Sequence, residues 1–274
     1  MKDADEVLTV SRDGPILRLT LNRPQKRNAL NERMAEEFER VLGDMDPAVR
    51  ALVLDGNGPH FCSGLDLSEQ VERTPFEVVR LSRRWHKIKD TLQFGQCPVI
   101  AALHGAVIGG GFELAATAHL RIADETSYFQ LPEARRGIFI GGGGTVRIAR
   151  LIGTQRLTDM LLTGCRLDVQ AAERYGLISR IAAPGKALQT AMEMAYQVAE
   201  NAPLVNYLVV QALPRIADMS AADGLFTESV AAGLSQVSMH AKAGMDEFLH
   251  RSKEAAAPIA SGDTPPSPKV GPSA

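Results

Sequence analysis

Cysteine is scarce in this chain. Cys62, Cys97 and Cys165 are odd in number, far apart, and in no CxxC pair. That pattern argues against a disulfide framework and against zinc, and it fits a reducing compartment. An excess of either charge is also missing, with 30 basic residues against 32 acidic ones. No global field therefore draws the protein to nucleic acid or to an anionic membrane. The six histidines are scattered at spacings that suggest no metal site. A long apolar run is lacking too. The nearest approach, from Pro98 to Ala118, is interrupted by His104, by Gly109, Gly110 and Gly111, and by Glu113. A carboxylate at the centre of a lone membrane span costs about 3 kcal/mol even on the mildest scale. The N-terminal MKDADEVLTV is acidic and then strand-like, unlike a signal peptide. These absences lead to the expectation of a soluble, cytoplasmic protein.

What is present is an ordinary globular composition, 45% hydrophobic and 23% charged over 274 residues, enough for one large domain or two. The first half alternates strand and helix signals. Leu17, Leu19 and Leu21 alternate with Arg18 and Thr20, the period of a half-buried strand. A charged helix is predicted from Asn31, as N-cap, to Gly43. Ala51–Leu54 reads as a short buried strand closed by a turn at Asp55-Gly56-Asn57-Gly58. From Phe76 to Phe94 the pattern is amphipathic. Val78, Leu81, Trp85, Ile88 and Leu92 form an apolar stripe, and Arg80, Arg83, Arg84 and Lys87 lie on another face. Beyond Thr154 the chain reads mainly as helices, with a brief strand at Leu177–Ile181. From Ala255 a tail with five prolines and no aromatic residue is expected to be disordered.

Three motifs carry chemistry. In Val107-Ile108-Gly109-Gly110-Gly111-Phe112-Glu113 a strand enters three glycines and a helix leaves them. Backbone free of side chains allows close approach, and unpaired N–H groups at a helix start suit a developing negative charge. Glu113 falls in that first turn; the alternative is a tight joint carrying a surface glutamate. The second motif, His60-Phe61-Cys62-Ser63-Gly64-Leu65-Asp66-Leu67, can expose further N–H groups at a loop, or be a plain connection. Cys62 is a poor nucleophile candidate, since its neighbours suggest burial and no base is evident. The third is Leu131-Pro132-Glu133, followed by Gly137 and four glycines at 141–144. Glu133 on its own reads as a solvated residue paired with Arg135 or Arg136.

In combination and in this order, the motifs resemble the crotonase superfamily, the enoyl-CoA hydratase/isomerase family. The resemblance runs from about Val7 to Arg251 and includes Asn22–Leu30, Asp55–Glu69, Ile100–Ala116, Leu131–Arg150 and Leu162-Thr163-Gly164. It implies an α/β fold, a spiral of ββα units with a helical C-terminal trimerisation region. The expected organisation is a spiral core over 1–200, helices over 201–254 and the tail over 255–274. By the same resemblance, Leu65 and Gly110 are the two oxyanion-hole donors, and Glu113 and Glu133 the two catalytic glutamates. Glu133 would protonate the α-carbon of an enoyl thioester while Glu113 deprotonates water. Lys26, Arg27, Ser63, Leu65, Asp66, Leu67 and Arg251 match segments that hold CoA. CoA is part of the substrate, and no separate cofactor or metal is implied. The assembly implied is a homotrimer or a dimer of trimers.

Having glutamate at both positions favours hydration over the other reactions of this scaffold, which are double-bond migration, thioester hydrolysis and retro-aldol cleavage. Two departures bear on the site. Ile140 stands where many members carry proline, which is expected to reshape the acyl pocket, and His119 stands where aspartate is common, with a structural role expected. RNA binding is a competing reading from a different class, since some family members are reported to bind RNA. The basic face at Arg80, Arg83, Arg84 and Lys87 would carry it. Balanced charge and the lack of interleaved aromatics argue against it.

Overall fold

The computed structural model describes residues 6–69 and 73–255. The tail beyond 255 lies outside the described residues, as does the side chain of Arg251.

The chain opens with a hairpin, β1 (Leu8–Asp13) against β2 (Ile16–Leu21), turning through Gly14 at φ +54°. Parallel strands then follow, separated by helices: β3 (Ala51–Gly56), β4 (Val99–Leu103), β6 (Leu120–Asp124) and β9 (Arg180–Ala182). They complete a six-stranded sheet in the order β1-β2-β3-β4-β6-β9. A second sheet is made from three short strands, β5 (Ala106–Ile108), β7 (Tyr128–Gln130) and β8 (Arg166–Asp168), in the order β5-β7-β8. The main sheet is covered on both faces, so its central strands are apolar at nearly every position. Leu52, Leu54, Val99, Ala101 and Leu103 join the larger core with Phe38, Trp85 and Phe112. Their alternates Ala51, Val53, Ile100 and Ala102 pack with Ala187, Ala191 and Met194 of α7 (Ala187–Glu200).

Two helices frame the first half. In α1 (Glu32–Gly43) the Asn31 side chain accepts the N–H of Met34 at 3.1 Å, the expected N-cap. α2 (Pro75–Gln93) opens with proline and a reciprocal capping box between Thr74 and Glu77. Its stripe differs from the expectation at its first residue and in its interior. Trp85, Ile88 and Leu92 are buried, but Val78 is exposed, one turn from the helix start. Lys89 is buried within the stripe at 1% exposure. The remaining helices are α3 (Gly110–Ala115), α4 (Gly144–Ile152), α5 (Thr154–Thr163), α6 (Val169–Arg174), α8 (Pro203–Gln211), α9 (Leu213–Ile216), α10 (Ala221–Gln236) and α11 (Met239–Ala255).

Two further expectations shift. Asp55 and Gly56 belong to β3 rather than to the turn, because Asp55 accepts Arg18 and Thr20 of the neighbouring strand at 2.7 Å each. The strand expected at Leu177–Ile181 forms at β9, while Leu177 and Ile178 are buried in the connection before it. The chain divides into two compact units, Met1–Ala231 and Ala232–Ala274, and all site residues discussed below except Arg251 lie in the first. Among the described residues no helix is long and apolar enough to cross a membrane.

Candidate active site

The site is built on a short parallel ladder. The loop after β3 pairs with β5 at Cys62 and Val107: the Cys62 N–H donates to Ala106 O at 3.0 Å, and the Ile108 N–H donates to Cys62 O at 3.0 Å. Leu65 and Gly110 each lie three residues beyond that bridge, so the register brings them side by side. A Cβ added at Gly110 would sit 3.3 Å from Leu65 N, and one added at Gly64 would sit 3.3 Å from Gly110 N. Among the described residues, neither N–H has a protein acceptor. Gly110 opens α3, where the first amides have no partner within the helix. Gly111 completes the triplet for a packing reason, since a Cβ there would fall 2.6 Å from Cys62 Cβ.

The loop is held from the other side by the segment before α1. The Leu30 N–H donates to Gly64 O at 2.8 Å, and the Asp66 N–H donates to Leu30 O at 2.8 Å. Asn28, fully buried at φ +56°, donates its side-chain amide to Asn57 O and His60 O and accepts the Arg23 N–H, each at 2.8 Å. This staple lays Lys26 and Arg27, both exposed, beside the loop, with the Ser63 N–H bound to Arg27 O at 2.9 Å. Asp66 turns its carboxylate into the protein. It is buried, paired with Arg23 at 2.9 Å and bonded to Ser68 Oγ at 2.6 Å. Its side chain thus braces the loop. Leu67 is exposed.

Glu133 arrives through the second sheet. Gly109, at φ +52°, donates its N–H to Gln130 O at 2.9 Å, and Glu133 follows three residues later. A Cβ at Gly109 would lie 2.7 Å from Glu133 Oε1, so the carboxyl lies against bare backbone next to Gly110. It is not a solvated partner of the nearby arginines: Glu133 is 9% exposed, while Arg135 donates to Thr163 O and packs over Gly164. Its Oε2 is buried with no hydrogen-bond partner among the described residues. Burial pushes the carboxyl up to about 7, more than its own backbone N–H restrains it, and the charge of Glu113 adds to the rise.

Glu113 is set differently. At 3% exposure it is no surface residue. Its Oε1 accepts the N–H groups of Gly142 and Gly144 at 2.8 and 3.0 Å, and Oε2 lies 3.4 Å from Lys89 Nζ. The glycines at 141–144 thereby acquire a purpose beyond flexibility. A Cβ at Gly142 would fall 2.1 Å from Glu113 Oε2, and one at Gly144 would fall 2.5 Å from Ile140 Cδ1. Ile140 is buried against this loop, while Phe139 is 79% exposed.

Three other residues separate from the site. Burial pushes the Cys62 thiol up to about 12, and the thiol donates to Asn28 O at 3.0 Å. His119 is a structural histidine: Nδ1 accepts the Val99 N–H and Nε2 donates to Gln93 O, both at 2.9 Å, which fixes the neutral ring. Arg84, on the basic face of α2, forms a two-point pair with Glu39 at 2.9 and 2.7 Å. A separate cleft of about 920 Å³, lined in part by His86, Arg147, Val205 and Leu213, contains neither glutamate. Among the described residues no cluster of His, Cys, Asp and Glu is arranged to hold a metal ion.

Comparison with known proteins agrees with this architecture. The enoyl-CoA hydratase/isomerase family model matches residues 11–255, and the chain belongs to that family. It is 32% identical to a short-chain-enoyl-CoA hydratase of Clostridium acetobutylicum, across 89% of this chain and 95% of the relative. It is 34% identical to an enoyl-CoA isomerase/hydratase of Mycosarcoma maydis, across 78% of this chain and 82% of the relative. The crystal structure of a putative enoyl-CoA hydratase from Rhodopseudomonas palustris superposes with a TM-score of 0.88 at 44% identity, covering 91% of this chain and 97% of that one. The fold is the crotonase fold, and the protein is an enzyme of that family.

Proposed function

We propose that the protein hydrates a 2-enoyl-CoA thioester, with Leu65 and Gly110 donating to the thioester oxygen and Glu113 and Glu133 handling water and proton. The observation that carries this reading is the contrast between two buried carboxylates beside one pair of unengaged amides. Water addition across the double bond places negative charge on the thioester oxygen, and each aimed N–H donor contributes about 10²–10³ in rate. The α-carbon then needs an acid. Glu133, held up to about 7 by burial, retains a proton near neutral pH and has a free oxygen to deliver it. The β-carbon needs an oriented water. Glu113 has two acceptor sites filled on Oε1 and one on Oε2, which leaves about one site of a carboxylate's four for that water. CoA is part of the substrate, so the reaction calls for no resident cofactor. Lys26, Arg27, Ser63 and the backbone of Leu65–Leu67 form its entry.

The assembly we propose is a trimer or a dimer of trimers. Supporting it, α8, α9 and α10 expose Tyr207, Val209, Leu213, Leu225 and Phe226, apolar groups that a single chain leaves in water. The three free thiols suit the cytoplasm.

The deciding experiment incubates the enzyme with 2-enoyl-CoA thioesters in heavy-oxygen water and in D₂O. Hydration bleaches the conjugated thioester absorbance, puts the oxygen label at C3 and one deuteron at C2. A second reading, double-bond migration, has one observation in its favour: Glu133 alone is equipped to shuttle a proton. Conversion of a 3-enoyl-CoA to its conjugated isomer, with no oxygen uptake from any 2-enoyl substrate, would replace the first reading with the second.

A further inference from the structure

Lys89 is a buried cation inside the apolar stripe of α2. On α2, Ser82, His86 and Lys89 stand at helical spacing on one side, and all three address the glycine loop. Ser82 Oγ donates to Gly141 O at 2.5 Å, His86 Nε2 lies 2.9 Å from the same carbonyl, and Lys89 Nζ donates to Gly142 O at 3.0 Å. The loop's carbonyls are thus held by α2, while its amides, on Gly142 and Gly144, hold Glu113. Gly142 lets the two charges meet, because a Cβ there would lie 2.3 Å from Lys89 Nζ and 2.1 Å from Glu113 Oε2.

We propose that Lys89 is a positioning residue that fixes Glu113 as a charged hydrogen-bond acceptor, leaving Glu133 as the one glutamate that carries the reaction's proton. The assignment of the proton to a reaction rests on the hydratase reading; the pairing of Lys89 with Glu113 does not. An ammonium has three N–H donors, and Lys89 has three places for them: Gly142 O, Glu113 Oε2, and the ring of Trp85 at 5.8 Å. Glu113 in turn faces only donors at Oε1, where a proton would collide with two N–H groups. The other ionisable groups around the pair do not replace either partner. Arg147 of α4 is committed to Asp90 and Gln93, Cys62 is a buried thiol, His86 of α2 faces Gly141 O, and Glu133 is a second carboxyl rather than a cation. Burial disfavours the charge on Lys89, and the charge of Glu113 opposes that.

The test is a cycle of Lys89→Met, Glu113→Gln and the double variant, read by thermal unfolding and by pH–rate profiles. Each single change strands a buried charge and lowers Tm, and the double change recovers most of the combined loss. With turnover, Lys89→Met lowers kcat about tenfold or more with KM within about twofold, and moves the acid limb of the profile up by about one pH unit or more. A double variant that folds where Lys89→Met does not is the same coupling in a stronger form. Gly142→Ala, which spreads the pair without removing either charge, should move the acid limb the same way. Additive losses in Tm together with an unmoved acid limb overturn the proposal. The unfolding cycle needs no substrate. Coupling in a protein that hydrates no enoyl thioester would keep the pairing and remove the hydratase reading. Additivity in an active hydratase would do the reverse.

Discussion

Glu113 and Glu133 flank the same stretch of backbone and are both buried, yet their surroundings are opposite. Glu113 is held by two amides and an ammonium, whereas one oxygen of Glu133 has no hydrogen-bond partner among the described residues. Donors stabilise charge, and an unsolvated oxygen disfavours it. Two identical side chains are thereby made into an acceptor and an acid, by neighbours rather than by their own chemistry. The same contrast appears in the backbone around them. Gly142 and Gly144 supply amides to a side chain, whereas Gly109 removes a Cβ so that a side chain can come close.

The harshest way to break the comparison is to give both positions the same neutral amide. Glu133→Gln removes the proposed acid, and kcat should fall by about 10²–10⁴ with KM largely kept. Glu113→Gln should lower kcat by about 10² or more. The two variants should then part in stability. Glutamine at 113 turns an NH₂ or leaves a neutral oxygen toward Lys89 and so strands the ammonium, lowering Tm. Glutamine at 133 replaces a group that resists ionisation, so it should leave Tm unchanged or raise it. Near-wild-type turnover from either variant would remove that residue from the mechanism, and equal Tm changes would erase the contrast.

The contrast also has a pH signature of smaller size. Glu133 rises from an ordinary value of 4.5 to about 7 in the folded protein. Between those values the folded state keeps a proton that the unfolded chain releases, so folding stability falls as pH rises through the window. The loss is complete above pH of about 7 and is on the order of 3 kcal/mol. Glu133→Gln should flatten this part of the stability profile and be the more stable protein at pH 8, measured by chemical denaturation. Catalysis should follow the same group, with kcat/KM for hydration declining as pH rises through about 7. A wild-type profile already flat from pH 5 to 8 would contradict the protonated acid.

Much of this arrangement is legible in the amino-acid sequence. The N-cap at Asn31, the buried strand from Ala51, the helix from residue 76, and the three glycine-bearing motifs leave strong local signatures. Where sequence fell short, the cause was non-local. The register that sets Leu65 beside Gly110 depends on a single bridge between residues 62 and 107. Arg23 and Asn28 act across to the loop at 57–66, and nothing in their own neighbourhood marks that. Lys89 did leave a signal. It lies four residues after Trp85 and one after Ile88, within the buried stripe, whereas Arg83, Arg84 and Lys87 lie on another face. A lysine inside an apolar stripe warrants asking which carboxylate meets it, and here that carboxylate is 24 residues away in sequence.

The smallest expected effect sharpens the comparison from outside, by asking whether the entry segment is separable from the two glutamates. Lys26 and Arg27 are exposed, and the backbone between them and Ser63 is tied to the loop that carries Leu65. If they meet the phosphates of CoA, their charges act on the nucleotide end equally in ground state and transition state. Such uniform binding raises KM when lost and leaves kcat alone. Lys26→Ala and Arg27→Ala should each raise KM a few-fold, by roughly 1 kcal/mol or less for a solvent-exposed contact, and the effect should shrink as salt screens it. An enoyl thioester of a short pantetheine fragment, lacking the nucleotide, should show no difference between wild type and variants. A loss of kcat on that truncated thioester would mean that the segment works through the loop and Leu65, so that entry and chemistry are one structure.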